Sequence, residues 1–113
     1  MKSLPIIALS ITCLFIGSVM TWHVVDEHNC SYTEQAAFIM MVENAIRKHG
    51  NDNKFAVATE VQSECQNEWP SSGEKWVVLY DGNGDWGIFV GIASKILFIE
   101  DSDNRDYVYA ARI

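Results

Sequence analysis

Hydrophobic and polar positions divide the chain into two unlike parts. Residues 3–25 carry no formal charge, with Lys2 before them and Asp26-Glu27 after. Coiled as a helix, this stretch would run about 34 Å at 1.5 Å per residue, enough to cross the hydrocarbon core of a bilayer. Beyond it, charged and apolar residues alternate at short periods, the pattern of a folded body. The expected division is a signal peptide or signal-anchor transmembrane helix over 1–25 and a small exported domain over 26–113.

Within the body, Ser31-Tyr32-Thr33-Glu34 has the form of a capping box, in which a serine and a glutamate three residues later satisfy each other's backbone N–H groups. Ala37, Ile39, Met40, Met41, Ala45 and Ile46 then recur at three- and four-residue spacing, with Glu43, Arg47 and Lys48 on another side and Gly50 as a stop. The spacing predicts a helix over 32–49, about 27 Å long. Over 54–65, Phe55, Val57, Thr59 and Val61 alternate with Ala56, Ala58, Glu60 and Gln62, which predicts a strand. Phe55, Ala58, Val61 and Cys65 in the same stretch also fall at helical spacing.

After the turn at Trp69-Pro70-Ser71-Ser72-Gly73 the period becomes two, predicting strands over 76–80, 86–93, 96–100 and 107–112, with 86–93 and 96–100 either separate or one strand bent at Gly91 to Ser94. Asp81-Gly82-Asn83-Gly84-Asp85 reads as a hairpin turn and residues 101–105 as another. The fold class expected is α+β: the N-terminal signal or anchor helix, then one amphipathic helix packed on an antiparallel meander of three to five strands. That order of elements is comparable to cystatin-like and NTF2-like domains, although no sequence motif of either family is present.

Compartment follows from the first segment. One lysine ahead of the apolar run and acids behind it favour export of the body, to the periplasm, with residues 4–25 in the inner membrane if uncleaved. The run is longer than a signal-peptide core, lacks a good small-x-small cleavage site, and places Trp22 where an interfacial aromatic would anchor a spanning helix. Ser10, Thr12, Gly17, Ser18 and Thr21 dilute it, a composition similar to the signal-anchor-release segments of phage lysis proteins and shared by ordinary signal sequences. In an oxidising space Cys30 and Cys65 are the expected disulfide pair; closing the loop between them is worth about 3.8 kcal/mol by chain entropy.

Charge narrows the partners. All 15 acidic residues lie after residue 25, with seven of the eight basic ones, so the body carries a formal −8. Nucleic-acid binding is excluded as an expectation, because phosphate backbones need a cationic footprint. Candidate chemistry is sparse. Asp81-x-Asn83-x-Asp85 copies the start of a calcium loop, but Trp86 stands where glycine is required and Ile92 where a bidentate glutamate belongs. His23, His28 and His49 have no ligand-like spacing, and no G-x-S-x-G elbow marks a nucleophile. No metal, cofactor or catalytic residue is expected.

The informative residues are aromatic. Trp76, Tyr80, Trp86, Tyr107 and Tyr109 fall on predicted strands and are the expected partner-binding face, since tryptophan and tyrosine are favoured anchors. The function expected is an exported or tethered binding protein, an inhibitor or immunity-type module that meets a basic envelope-active protein such as a bacteriocin, toxin or lytic enzyme. Two alternatives stay open: a phage or plasmid lysis or superinfection-exclusion regulator with a releasable anchor, and a cell-wall hydrolase.

Overall fold

The computed structural model describes residues 21–81 and 91–113. Its elements, in chain order, are β1 (Trp22–His28), α1 (Tyr32–His49), α2 (Lys54–Glu68), β2 (Trp76–Tyr80), β3 (Lys95–Asp101) and β4 (Tyr107–Arg112). The chain is α+β, with two helices on a four-stranded antiparallel sheet of order β1-β3-β4-β2.

Helix α1 begins and ends as its residues require. The Glu34 N–H donates to Ser31 Oγ (3.1 Å) and the Ser31 N–H to Glu34 Oε1 (2.8 Å), the reciprocal capping box. At the other end Gly50 turns to φ 91° and its N–H donates to the Ile46 carbonyl at 2.7 Å. Arg47, Lys48 and His49 sit in the last turn, where positive charge suits the helix dipole.

Residues 54–65 are helical, which corrects the strand expected there. Asn53 caps the helix by accepting from the Ala56 N–H (3.4 Å), and the buried residues are Val57, Val61 and Cys65, four apart. Under two-residue alternation Phe55 and Thr59 would share the interior with Val57 and Val61; both are exposed. Two pairs of residues four apart decide the matter, since only a helix puts Val57 and Val61 inside while turning Phe55 and Thr59 out. A single helix therefore becomes a helical pair.

Two further corrections concern the sheet. Trp22–Val25, read from the sequence as the end of the apolar segment, form the first half of β1, and Trp22 is 6% exposed inside the core. The chain is held from its first described residue, since Thr21 carbonyl oxygen accepts from the Ser102 N–H (2.9 Å) and Oγ (3.1 Å). Nor do the described strands lie in chain order: β2 pairs with β4, the last strand, and β4 with β3. The strand expected over 86–93 lies outside the described residues up to 90, and Gly91–Ser94 form a turn. The anchor expected over residues 4–25 lies outside them up to 20. No helix among the described residues is long and apolar enough to cross a membrane.

The core lies between the sheet and the helices. α1 contributes Phe38, Met41, Val42 and Ala45, α2 contributes Val57, Val61 and Cys65, and the sheet answers with Trp22, Trp76, Leu97, Ile99, Val108 and Ala110. Each large side chain removed from water there contributes about 1.5–3 kcal/mol. The opposite face carries a second cluster, Ile96, Tyr109 and Ala111 with Phe98 and Ile113 around them.

Candidate binding groove

Strand register decides where the expected aromatic residues go. Trp76 and Tyr80 are opposite Arg112 and Val108, so both project toward the helices; Tyr107 and Tyr109 occupy the other parity of β4 and project from the reverse face. Trp76 is 2% exposed, packs on Trp69 with ring centroids 5.8 Å apart, and donates from Nε1 to the Trp69 carbonyl at 3.0 Å. Tyr80 meets Trp22 edge-on at 6.3 Å, and its hydroxyl bonds to Asn51 Oδ1 (2.9 Å) and Asp106 Oδ2 (3.2 Å). Burial, together with the Asp106 carboxyl, pushes the Tyr80 hydroxyl well above its ordinary pKa. Tyr107 and Tyr109 flank Phe98 at 5.9 and 6.1 Å. Trp86 lies outside the described residues. The four that are described thus divide between two faces and do not form one surface.

The surface that does form was not legible as a site. Helix α2 lies alongside β2, which among the described residues is the outermost strand beyond β4, and between them runs an apolar groove of about 570 Å³. Phe55, Ala58, Thr59 and Gln62 line it from the helix and the whole of β2 lines it from the sheet. Phe55 is 83% exposed, an unusual placement for a phenylalanine, and forms a ridge between this groove and a second depression of about 470 Å³ near His49 and Glu60. Only the helical form of 54–68 places Phe55 there, so the strand expectation hid it.

Backbone geometry along the groove is specific. Lys75 and Ile113 exchange both ladder bonds (2.7 and 2.9 Å), and the Asp81 N–H donates to the Tyr107 carbonyl (2.8 Å). Bonded residues alternate in an antiparallel ladder, so Val77 and Leu79 face β4 while Trp76, Val78 and Tyr80 turn their N–H and C=O outward. Those of Trp76 are taken: its N–H donates to Gln66 Oε1 (3.0 Å) and its carbonyl accepts from Gln62 Nε2 (3.3 Å). Among the described residues nothing bonds to the outward groups of Val78 and Tyr80.

The charge around the groove is already paired. Lys54 Nζ lies 3.4 Å from Asp81 Oδ2 and 5.4 Å from the Tyr80 ring centre. Burial raises the Asp106 carboxyl above its usual range, and the neighbouring Asp81 adds to the effect. On the far side of Phe55, the His49 Nε2 contact at 2.6 Å and Lys48 at 3.2 Å hold the Glu60 carboxyl below the ordinary glutamate range.

The remaining expected residues have clear positions. Cys30 and Cys65 are buried in the same core cluster, and each carries a thiol: Cys30 Sγ is 3.4 Å from the His28 and Ile96 carbonyls, Cys65 Sγ is 3.9 Å from Met41 Sδ. Burial pushes the Cys65 thiol up to about 12. Asp101 is buried and accepts from the Asp103 N–H (3.0 Å) and Asn104 Nδ2 (3.2 Å), so its carboxylate organises a turn. Among the described residues no three histidine, cysteine or carboxylate side chains converge as a metal site would need. Comparison with protein-family models, with curated proteins and with solved structures finds no match to this chain.

Proposed function

We propose that this chain is an exported or membrane-tethered binding module of the inhibitor or immunity type, whose partner is a basic protein of the cell envelope. The observation that carries the reading is the α2–β2 groove: an apolar trough with a strongly exposed phenylalanine beside it, in a chain of net charge −7. An exposed aromatic next to a preformed apolar cleft is the arrangement that binding anchors use, and truncating such an anchor costs about 2 kcal/mol or more of affinity. The net negative charge of the chain would speed encounter with a cationic surface and repel acidic ones. Export rests on the uncharged run that precedes β1, which delivers the domain to the periplasmic side.

The test uses the full chain in detergent micelles, immobilised and offered an envelope extract. A basic protein should be retained, and both the Phe55→Ala variant and added salt should release it, since screening shortens the reach of surface charge. Equal retention by wild type and variant, or retention indifferent to salt, would refute the proposal.

A further inference from the structure

Among the described residues the two outer strands of the sheet, β1 and β2, are built differently. The β1 edge carries His23, Asp26, Glu27 and His28 and is interrupted by a bulge between Val24 and Asp26. Charge and bulges are the ordinary means by which a sheet edge is kept from pairing with another chain. The β2 edge, Trp76-Val77-Val78-Leu79-Tyr80, has no charge, no proline and no bulge, and its ladder with β4 is regular. It is capped at one end only, where Gln62 and Gln66 occupy the backbone of Trp76.

From this contrast we infer that the partner of the groove is an extended, cationic segment of a protein, which adds to β2 as a further strand through the backbone of Val78 and Tyr80. This rests on the binding reading above and deepens it. An added strand lies about 4.8 Å from β2, and its side chains alternate between the two faces of the sheet. Those on the helix side would meet Phe55, Ala58 and Thr59, which line the groove, and those on the reverse side would lie beside Val77 and Leu79. Apolar residues at alternate positions therefore fit, and a segment committed to a helix does not, since its own N–H and C=O groups are already used.

Charge selects between occupants. Lys54, the groove's lining cation, is engaged by Asp81 and by the Tyr80 ring, which leaves the exposed Lys75, just before β2, as the positive charge a lysine-bearing segment would place its own cations away from. A second copy of this chain would bring its own −7 against −7. Like charges at that level oppose self-pairing and favour a cationic strand.

The experiment takes the full chain in detergent micelles and three synthetic peptides: one alternating valine and threonine with lysines at its ends, the same peptide N-methylated at alternate residues, and the same peptide with glutamates for lysines. The lysine peptide should bind at least about tenfold more tightly than the N-methylated one, the effect of losing between one and three net backbone bonds, and more tightly than the glutamate one, which the chain's negative charge repels. It should slow amide exchange at Val78 and Tyr80, and both Phe55→Ala and Val78→Pro should weaken it. Val78→Pro removes an N–H that points away from β4; Phe55→Ala changes an exposed side chain and keeps the test valid should the proline variant not fold. Equal binding of the N-methylated peptide overturns strand addition and leaves the cationic partner standing. Absence of binding by the lysine peptide overturns strand addition by cationic segments, while the capture test with Phe55→Ala judges the binding reading separately. Protection of Val78 without peptide, rising with protein concentration, overturns the assignment in favour of a second copy.

Discussion

Replacing Trp76 by alanine separates a core tryptophan from a surface anchor. The side chain is 2% exposed, packs at a tilt on Trp69 and donates to the Trp69 carbonyl. Burial of an aromatic removes roughly 150–250 Å² from water, which at about 25 cal/mol per Å² is about 4–6 kcal/mol. Measured truncations of this kind cost about 3–5 kcal/mol, because the surroundings close only part of the cavity. The lost hydrogen bond adds little, since the Trp69 carbonyl keeps the Arg112 Nη1 donor at 3.2 Å. Against a typical total stability of about 5–15 kcal/mol this is a large fraction, and for a domain of this size it lowers the melting midpoint by at least about 12 °C. Urea unfolding followed by far-ultraviolet circular dichroism measures the loss without depending on tryptophan emission, and Trp76→Phe should recover most of it. A loss below about 1 kcal/mol, the range of exposed positions, would refute the placement of this ring in the core.

Ser31→Ala removes one half of the capping box and should cost about 1 kcal/mol in the same unfolding assay, with Ser31→Gly costing less; no change would mean the cap is not formed in solution. Glu43 is buried near Asp101, and burial raises its carboxyl, so the folded chain holds that proton more tightly than the unfolded one. Its contribution is then greatest at acid pH and declines as pH rises through the folded value. Glu43→Gln should accordingly melt higher than wild type at pH 7 and at the same temperature near pH 4, and a gap independent of pH would contradict this. Cys30 and Cys65 are unjoined thiols in the structure but share one core cluster, so chain recovered from an exporting cell is expected to have them paired, showing no thiol after denaturation without reductant and losing up to about 3.8 kcal/mol of stability on reduction; two titratable thiols would remove the disulfide.

What the sequence disclosed, and what it withheld, follows from the range of the forces involved. Helix α1 was legible at both ends because its stop and start signals are local: Ser31 with Glu34, and Gly50. Strands β3 and β4 were legible for the same reason, as alternating runs between turn residues. Helix α2 was misread because Val57 and Val61 serve both periods, and the pattern cannot say whether Phe55 and Thr59 belong with them. Asn53 and the run of alanine, glutamate and glutamine were the available signals, through capping and helix propensity. β1 was hidden because Trp22 to Val25 continue an uncharged run whose hydropathy does not distinguish a membrane helix from a buried strand. The described aromatic residues divide by register, Trp76 and Tyr80 on the face of Val108 and Tyr107 and Tyr109 on the other, because the pairing of Tyr80 with Val108 is a long-range fact.

The same long-range pairing sets the groove beside a bare strand, and something must oppose the pairing of that strand with its own copies. A regular uncharged edge strand invites association with any extended chain, its own copies included, and β2 has neither charge nor bulge to prevent it. The deterrent must act at a distance, and the 15 carboxylates against eight basic residues supply one. Repulsion between like-charged copies reaches about 8 Å at physiological ionic strength, beyond the spacing of two paired strands, so it opposes approach before any backbone bond is made. Placing lysines on β2 would protect the edge as well, but would also close it to the cationic segment proposed here. Charge spread over the rest of the body discriminates between the two approaching chains by sign alone, which a local block cannot do. On this argument the acidity of the protein and the bareness of one strand are a single device, and neutralising the first should be felt at the second.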